Sequence, residues 1–63
     1  MENMLVVELQ KNVGCEIVFW LNNLRFEGKN LGCDGTFLKY YDSRKLIERF
    51  VRVSEIENCE VRQ

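Results

Sequence analysis

Three apolar runs separated by two short polar breaks constrain the fold of this chain more than any other feature. The runs cover residues 15–21, 24–33 and 36–42, and the breaks are Asn22-Asn23 and Asp34-Gly35. Asn, Asp and Gly tolerate the positive φ angles that tight hairpin turns need. In the first run, Ile17, Phe19 and Leu21 alternate with their neighbours, which is the pattern of a half-buried strand. The stretch therefore predicts a three-stranded antiparallel meander.

The second strand of this meander contains two internal glycines, Gly28 and Gly32. A glycine inside a strand weakens it and usually marks a bulge, a sharp bend or a close backbone approach. We therefore expect a long, strongly bent strand that serves both sides of a small barrel.

A helix is predicted before the meander. Residues 3–12 have Asn3 as a candidate N-cap, Leu5 and Leu9 one turn apart on one face, and Gly14 as a stop. A helix this short does not persist alone. We therefore expect its apolar face to dock on the sheet.

Two further strands are predicted after the meander. A polar break at residues 42–45 precedes a fourth strand at 46–53, and the tight Ser54-Glu55 connection leads into a fifth strand at 56–61. The chain contains no proline, so nothing in the sequence blunts the edges of these two strands. Residues 15–61 thus form five strands within one domain that spans residues 1–63.

The length of the chain makes a stable isolated core difficult. A domain of 63 residues buries only about 60% of the surface that its unfolded chain exposes, and small domains often need disulfides, a metal or association. Cys15, Cys33 and Cys59 cannot all pair with one another in one chain, they form no CxxC motif, and histidine is absent. We expect free thiols in a reducing compartment, no metal or other cofactor, and self-association as the stabilising device.

Composition and charge exclude several classes of function. No nucleophile stands beside a recognisable base and no glycine-rich phosphate loop is present, so we expect neither an enzyme nor a small-molecule substrate. No apolar stretch approaches the roughly 20 residues of a membrane span, and no signal peptide is visible, so we expect a soluble, cytoplasmic protein. The net charge is −1, but residues 36–53 carry five basic side chains against two acidic ones. A polyanion site is predicted in that segment.

Two motifs resemble those of a known family. The first is Gly14-x-x-Ile17-x-Phe19-x-Leu21-Asn22-Asn23-x-x-Phe26-x-Gly28-x-x-x-x-x-Asp34-x-x-Phe37, and the second is Phe50-Val51-Arg52-Val53-Ser54-Glu55-Ile56. Together they resemble the paired motifs of the Sm/LSm proteins, and the chain length is similar to that of the bacterial Hfq branch. The resemblance covers nearly the whole chain. It implies an all-β, Sm-like or SH3-like small open barrel of five strongly bent antiparallel strands with an N-terminal helix.

The resemblance also implies an assembly. Sm-like proteins form six- or seven-membered rings by pairing the fourth strand of one copy with the fifth strand of the next, which agrees with the unblunted edges. The interface residues implied in this chain are Leu46, Phe50, Val51, Ile56, Cys59 and Val61.

The family binds single-stranded, uridine-rich RNA, and the resemblance implies a pocket at the matching positions. These positions are Asp34, Thr36, Leu38 and Arg52. Thr36 stands where the family has a stacking side chain and Leu38 where it has a base-reading Asn, so the pocket lacks a π-face and an edge-reading amide. Asp34 also has a purely local interpretation, since the Asp of an Asp-Gly turn hydrogen-bonds its own backbone.

Other surfaces are candidates without reference to the family. Arg44 and Lys45 project from a predicted turn and, repeated around a ring, would form a circle of cations, where weak contacts add; the alternative is a solvated turn. Trp20 lies on the opposite parity to the core positions of its strand, which fits either base stacking or helix or subunit packing. Phe19, Leu24 and Phe26 match the turn region where the other face of the Hfq branch holds adenine-rich RNA, but they also have core parity, and we expect them in the core.

The sequence therefore predicts a ring-forming, Sm-like homo-oligomer that binds single-stranded RNA with low sequence specificity, as an RNA chaperone or an RNA-processing scaffold. One alternative is an oligomeric protein–protein scaffold whose RNA pocket is lost, favoured by the acidic pI of about 5.3 and by the two pocket departures. The other alternative is a monomeric SH3-like adaptor barrel.

Overall fold

The chain folds as one helix followed by five strands, and the computed structural model describes residues 4–62. Helix α1 spans Met4–Lys11, and the strands are β1 Glu16–Leu21, β2 Leu24–Cys33, β3 Phe37–Asp42, β4 Ile47–Arg52 and β5 Asn58–Arg62. All strand pairs are antiparallel, in the order β4-β3-β2-β1-β5. The predicted mainly-β architecture with an N-terminal helix is confirmed.

Helix α1 docks as expected, through Leu9, which is fully buried, while Leu5 packs beside it. Gly14 ends the segment with a φ of 93°, a left-handed conformation that favours glycine. The proposed N-cap, Asn3, lies outside the described residues.

The two predicted turns are present, with different lengths. Asn22 and Asn23 have φ angles of 50° and 65° and close a two-residue hairpin between Leu21 and Leu24, which are paired. The second turn takes three residues, 34–36, because Thr36 belongs to it and β3 begins at Phe37.

The last two strands have different bounds from those predicted. Leu46 was expected in the fourth strand, but it adopts a φ of 59° and completes the β3–β4 turn, with its amide donating to the carbonyl of Asp42 at 2.7 Å. Val53 was expected at the end of that strand and instead opens a 3-10 turn at Val53–Glu55. Ile56 precedes β5, which begins only at Asn58.

Strand β2 is long because its two halves serve different neighbours. Residues 24–29 pair with β1 and residues 29–33 pair with β3, with a register shift between Asn30 and Gly32. Gly32 has a φ of 146° at this bulge, and a Cβ at Gly28 would overlap the carbonyl oxygen of Tyr41. The predicted roles of the two glycines, a bulge and a close backbone approach, are both confirmed.

The core lies on the face of the sheet that α1 covers. Its buried members are Leu9, Ile17, Phe19, Leu38, Tyr40, Val51 and Val53. The Phe19 ring stacks on Phe26 with centroids 5.6 Å apart and meets Tyr40 edge-on at 4.9 Å, so aromatic contacts link three strands. Leu24, which was expected in the core, is 62% exposed, because it adjoins the hairpin turn at the end of the sheet.

A buried asparagine joins the helix to the bulge in β2. Asn30 is fully buried; its Nδ2 donates to the carbonyls of Leu9 at 2.7 Å and Asn12 at 3.1 Å, and its Oδ1 accepts from the amide of Gly32 at 3.0 Å. Its backbone carbonyl also accepts from the amide of Gly14 at 2.7 Å. One side chain therefore satisfies the end of α1 and the bulge together.

We predict that Asn30→Ala destabilises the fold by roughly 2–4 kcal/mol, because it removes one buried and two partly buried hydrogen bonds. Urea unfolding followed by circular dichroism measures the change. The control is Asn58→Ala, an exposed asparagine whose Oδ1 accepts only from the adjacent Cys59 amide in the described part of the chain. Equal stability of the two variants would contradict the role given to Asn30.

Candidate nucleic-acid interface

Asp34 organises the β2–β3 turn. Its carboxylate Oδ1 accepts hydrogen bonds from the amides of Thr36 at 2.9 Å and Phe37 at 2.8 Å. These two amides lower the pKa of Asp34 below the ordinary 3.8, because they stabilise its charged form. The local interpretation of Asp34 is therefore confirmed, and Gly35 completes the turn with a φ of 100°.

Arg52 lies beside this turn, as the sequence predicted. It is paired with Phe37 across β3 and β4, and the amide of Val53 donates to the carbonyl of Thr36 at 2.9 Å. Three of the four predicted pocket residues, Asp34, Thr36 and Arg52, are thus exposed at one end of the β3–β4 hairpin.

Leu38, the fourth predicted pocket residue, does not belong to this site. Its side chain is fully buried in the hydrophobic core, because it lies on the same face of β3 as Tyr40. A base at the exposed end of the hairpin cannot contact it. The prediction that placed Leu38 among the RNA-binding residues is wrong.

Arg44 and Lys45 lie at the other end of the hairpin, in the β3–β4 turn. Their amides donate to Oδ1 of Asp42 at 3.0 Å and 3.2 Å, and Oδ2 of Asp42 lies 3.7 Å from Nη1 of Arg49. Burial raises the pKa of Asp42, but the two amides and the charge of Arg49 together bring it below 3.8. Both turn side chains are exposed, as predicted.

A shallow pocket of about 140 Å³ connects this turn to β2. It is lined by Arg25, Phe26, Glu27, Asp42, Arg44, Lys45 and Arg49. Nη2 of Arg25 lies 3.1 Å from Oε2 of Glu27, and Arg49 forms an ion pair with Asp42. Four cations and two carboxylates therefore surround the pocket, which suits an anion such as a phosphate. Arg49 belongs to the basic segment 36–53, where a polyanion site was predicted, and it is paired with Tyr40 across β3 and β4. Arg25 was not predicted as a site residue, because it comes from a distant segment of the sequence and reaches the pocket only through the fold.

The predicted interface residues occupy different environments. Phe50 is exposed, whereas Val51 is buried in the core of its own chain, and Leu46 is exposed in the turn. Ile56, Cys59 and Val61 are half-buried and pack against the same core. Val51, which was assigned to the oligomer interface, has its side chain buried within its own chain, because its parity on β4 points it inward.

Trp20 and the cysteines are partly enclosed. Trp20 is half-buried on β1, and its carbonyl accepts from the amide of Glu57 at 2.9 Å. Cys15, Cys33 and Cys59 are half-buried, with free thiols. Burial and the charge of Glu60 raise the pKa of the Cys59 thiol above its ordinary 9.0.

A wider groove of about 460 Å³ lies elsewhere on the sheet, near Gly28 and Tyr41. Its lining carries charges of both signs, which come from Glu16, Glu27, Lys29 and Arg62. Ser43 of the β3–β4 turn also lines this groove, and Glu27 lines both it and the smaller pocket. Within residues 4–62, no three Cys, Asp or Glu side chains gather closely enough to hold a metal ion.

Comparisons with protein-family models, with curated proteins and with solved structures give no match to this chain. In the part of the chain that the structure describes, no helix has the length and apolar character needed to cross a membrane.

The lowered pKa of Asp42 predicts a pH-dependent stability. Because the folded pKa lies below 3.8, this carboxylate stabilises the fold above that pH and ceases to do so as the pH falls through the folded value. We expect Asp42→Asn to be less stable than the wild type at neutral pH, and the difference to shrink on acidification. Thermal unfolding across the pH range measures it.

The matched control is Ser43→Ala, which changes an exposed, non-titrating neighbour in the same turn. Its stability curve should run parallel to that of the wild type. A constant deficit for Asp42→Asn at all pH values would contradict the charge argument.

Proposed function

We propose that this protein is an Sm-like barrel that assembles head-to-tail into a closed ring and binds single-stranded RNA. The observation that carries the proposal is the strand order, in which β4 and β5 are the two outer strands. Each outer strand has one edge that no strand of residues 4–62 pairs with, and such edges favour strand addition. Joining two different edges is a heterologous contact, which closes into a ring when the rotation permits. The family resemblance supports about six or seven copies.

The RNA part of the proposal is supported by the chemistry of the β3–β4 hairpin. Arg52 lies at one end, and Arg44, Lys45 and the pocket cations lie at the other. Guanidinium and ammonium groups bind the phosphates of a single strand without reading its sequence. Repetition around a ring raises the effective concentration of these weak sites.

The first test measures mass and RNA binding together. Sedimentation should give a particle several times the 7.5 kDa of one chain, and labelled oligo-U and oligo-A should bind saturably and more weakly at higher salt. A species of one chain's mass would remove the ring and leave the monomeric adaptor barrel.

The second test removes charge at the hairpin. The double variant Arg44→Gln/Lys45→Gln should weaken binding and reduce the slope of log K against log salt by about 0.7 for each lost phosphate contact. The control, Lys11→Gln/Lys29→Gln, removes two exposed charges outside the hairpin and should change the slope less. Equal effects of the two double variants would contradict a phosphate site at the turn.

A protein–protein scaffold is the second candidate, because Leu38 is buried and no base-reading group takes its place at the predicted pocket. An assembled ring that binds neither oligonucleotide would favour this function over RNA binding.

A further inference from the structure

The outward face of the β3–β4 hairpin carries two aromatic–cation pairs. The register places Phe37 opposite Arg52, and Lys39 opposite Phe50. Side chains alternate along a strand, so these four residues lie on the face opposite Leu38, which is buried. The face is therefore separate from the core and from the pocket cations at the turn.

Each ring is held beside its cation and remains open to solvent. Cζ of Arg52 lies 5.8 Å from the Phe37 ring centroid, and Nζ of Lys39 lies 5.9 Å from that of Phe50, both within cation–π range. The two phenylalanines are 40% and 67% exposed. Since Phe37 and Phe50 are diagonal neighbours, their Cα atoms are about 7–8 Å apart.

The same face carries Glu48, whose Oε1 lies 3.2 Å from Nζ of Lys39, whereas Arg52 has no ion-pair partner among residues 4–62. The exposed rings and the uncompensated charge of Arg52 favour a polyanion with π-faces as the occupant. A second copy with an apolar face would have to cover Lys39 and Arg52 together with the rings, at the desolvation cost of their charges. Unpaired bases present flat π-faces to the rings and phosphates to the cations. Strand addition at the edge of β4 occurs in the plane of the sheet. Assembly of several copies into a ring would therefore leave this face open.

We propose that Phe37 and Phe50 form a stacking platform for two unpaired bases of a single RNA strand, with Arg52 and Lys39 contacting the adjacent phosphates. The inference rests on the proposed RNA binding and adds how the bases are held. Stacking on phenylalanine is tolerant of sequence, because every base has a π-face. The platform therefore supplies base contacts without the side-chain amide that the family has at the position of Leu38.

The test compares leucine and tyrosine at the same positions. Phe37→Leu/Phe50→Leu keeps the apolar character but removes both π-faces, and it should weaken binding of a labelled oligo-U by about tenfold or more. Phe37→Tyr/Phe50→Tyr should bind within about twofold of the wild type, since tyrosine stacks equally well. The control is Leu24→Ala, an exposed apolar residue on the remote β1–β2 hairpin; circular dichroism and sedimentation verify the fold and mass of every variant.

Three outcomes would overturn the inference. If the wild type binds no oligo-U, the proposed function fails as well. If the wild type binds and the leucine variant binds equally well at unchanged mass, only the stacking platform fails. If the leucine variant changes the mass of the particle while oligo-U affinity per chain is unchanged, the face is a contact between copies.

A duplex of the same length provides an independent arm. Its bases are paired and cannot reach the rings, so it should bind only through salt-sensitive phosphate contacts and should lose no affinity in the leucine variant. An equal loss of affinity for the duplex and for the single strand would show that the phenylalanine rings position the cations and do not stack on bases. That result would overturn the platform.

Discussion

The bulge of β2 at residues 30–32, together with the close backbone approach at Gly28, is the constraint on which the rest of the structure depends. Gly28 lets the backbone of β2 approach that of Tyr41, and Gly32 forms the bulge. Asn30, between them, hydrogen-bonds the end of α1 and is fully buried. Because the two halves of β2 pair with different neighbours, the sheet carries β4 and β5 at its opposite borders, and helix and sheet share one core.

The same geometry determines which side chains are available for binding. The three-residue turn capped by Asp34 sets the phase of β3, so that Leu38 and Tyr40 point into the core. Phe37 and Lys39 consequently point outward, beside Arg52 and Phe50 of β4. The hairpin therefore has exposed cations at both ends, Arg52 at one and Arg44 and Lys45 at the other, and its two exposed rings lie near the Arg52 end.

Much of this fold was predictable because its signals are local. The Asn22-Asn23 turn, the two glycines of β2 and the Leu9 face of α1 follow from backbone preference and periodicity. The burial of Leu38 was not predicted, because the family resemblance placed this residue in the RNA pocket, whereas it is paired with Cys33 and points into the core with Tyr40. Asn30 gave no signal either, since a polar residue in a strand ordinarily indicates a surface position and its partners lie about twenty residues away. Arg25 and Arg49 meet only through sheet register, and the left-handed Leu46 runs against the preference of its residue type.

In the proposed ring, the outer edges of β4 and β5 pair between copies. Amide hydrogen exchange at two protein concentrations tests this pairing most directly, because only paired edge amides are protected. We expect the amides of β4 that face away from β3, and those of β5 that face away from β1, to exchange slowly at high protein concentration and quickly on dilution. Rapid exchange of these amides at every concentration, beside protected β1–β3 amides, would contradict this pairing.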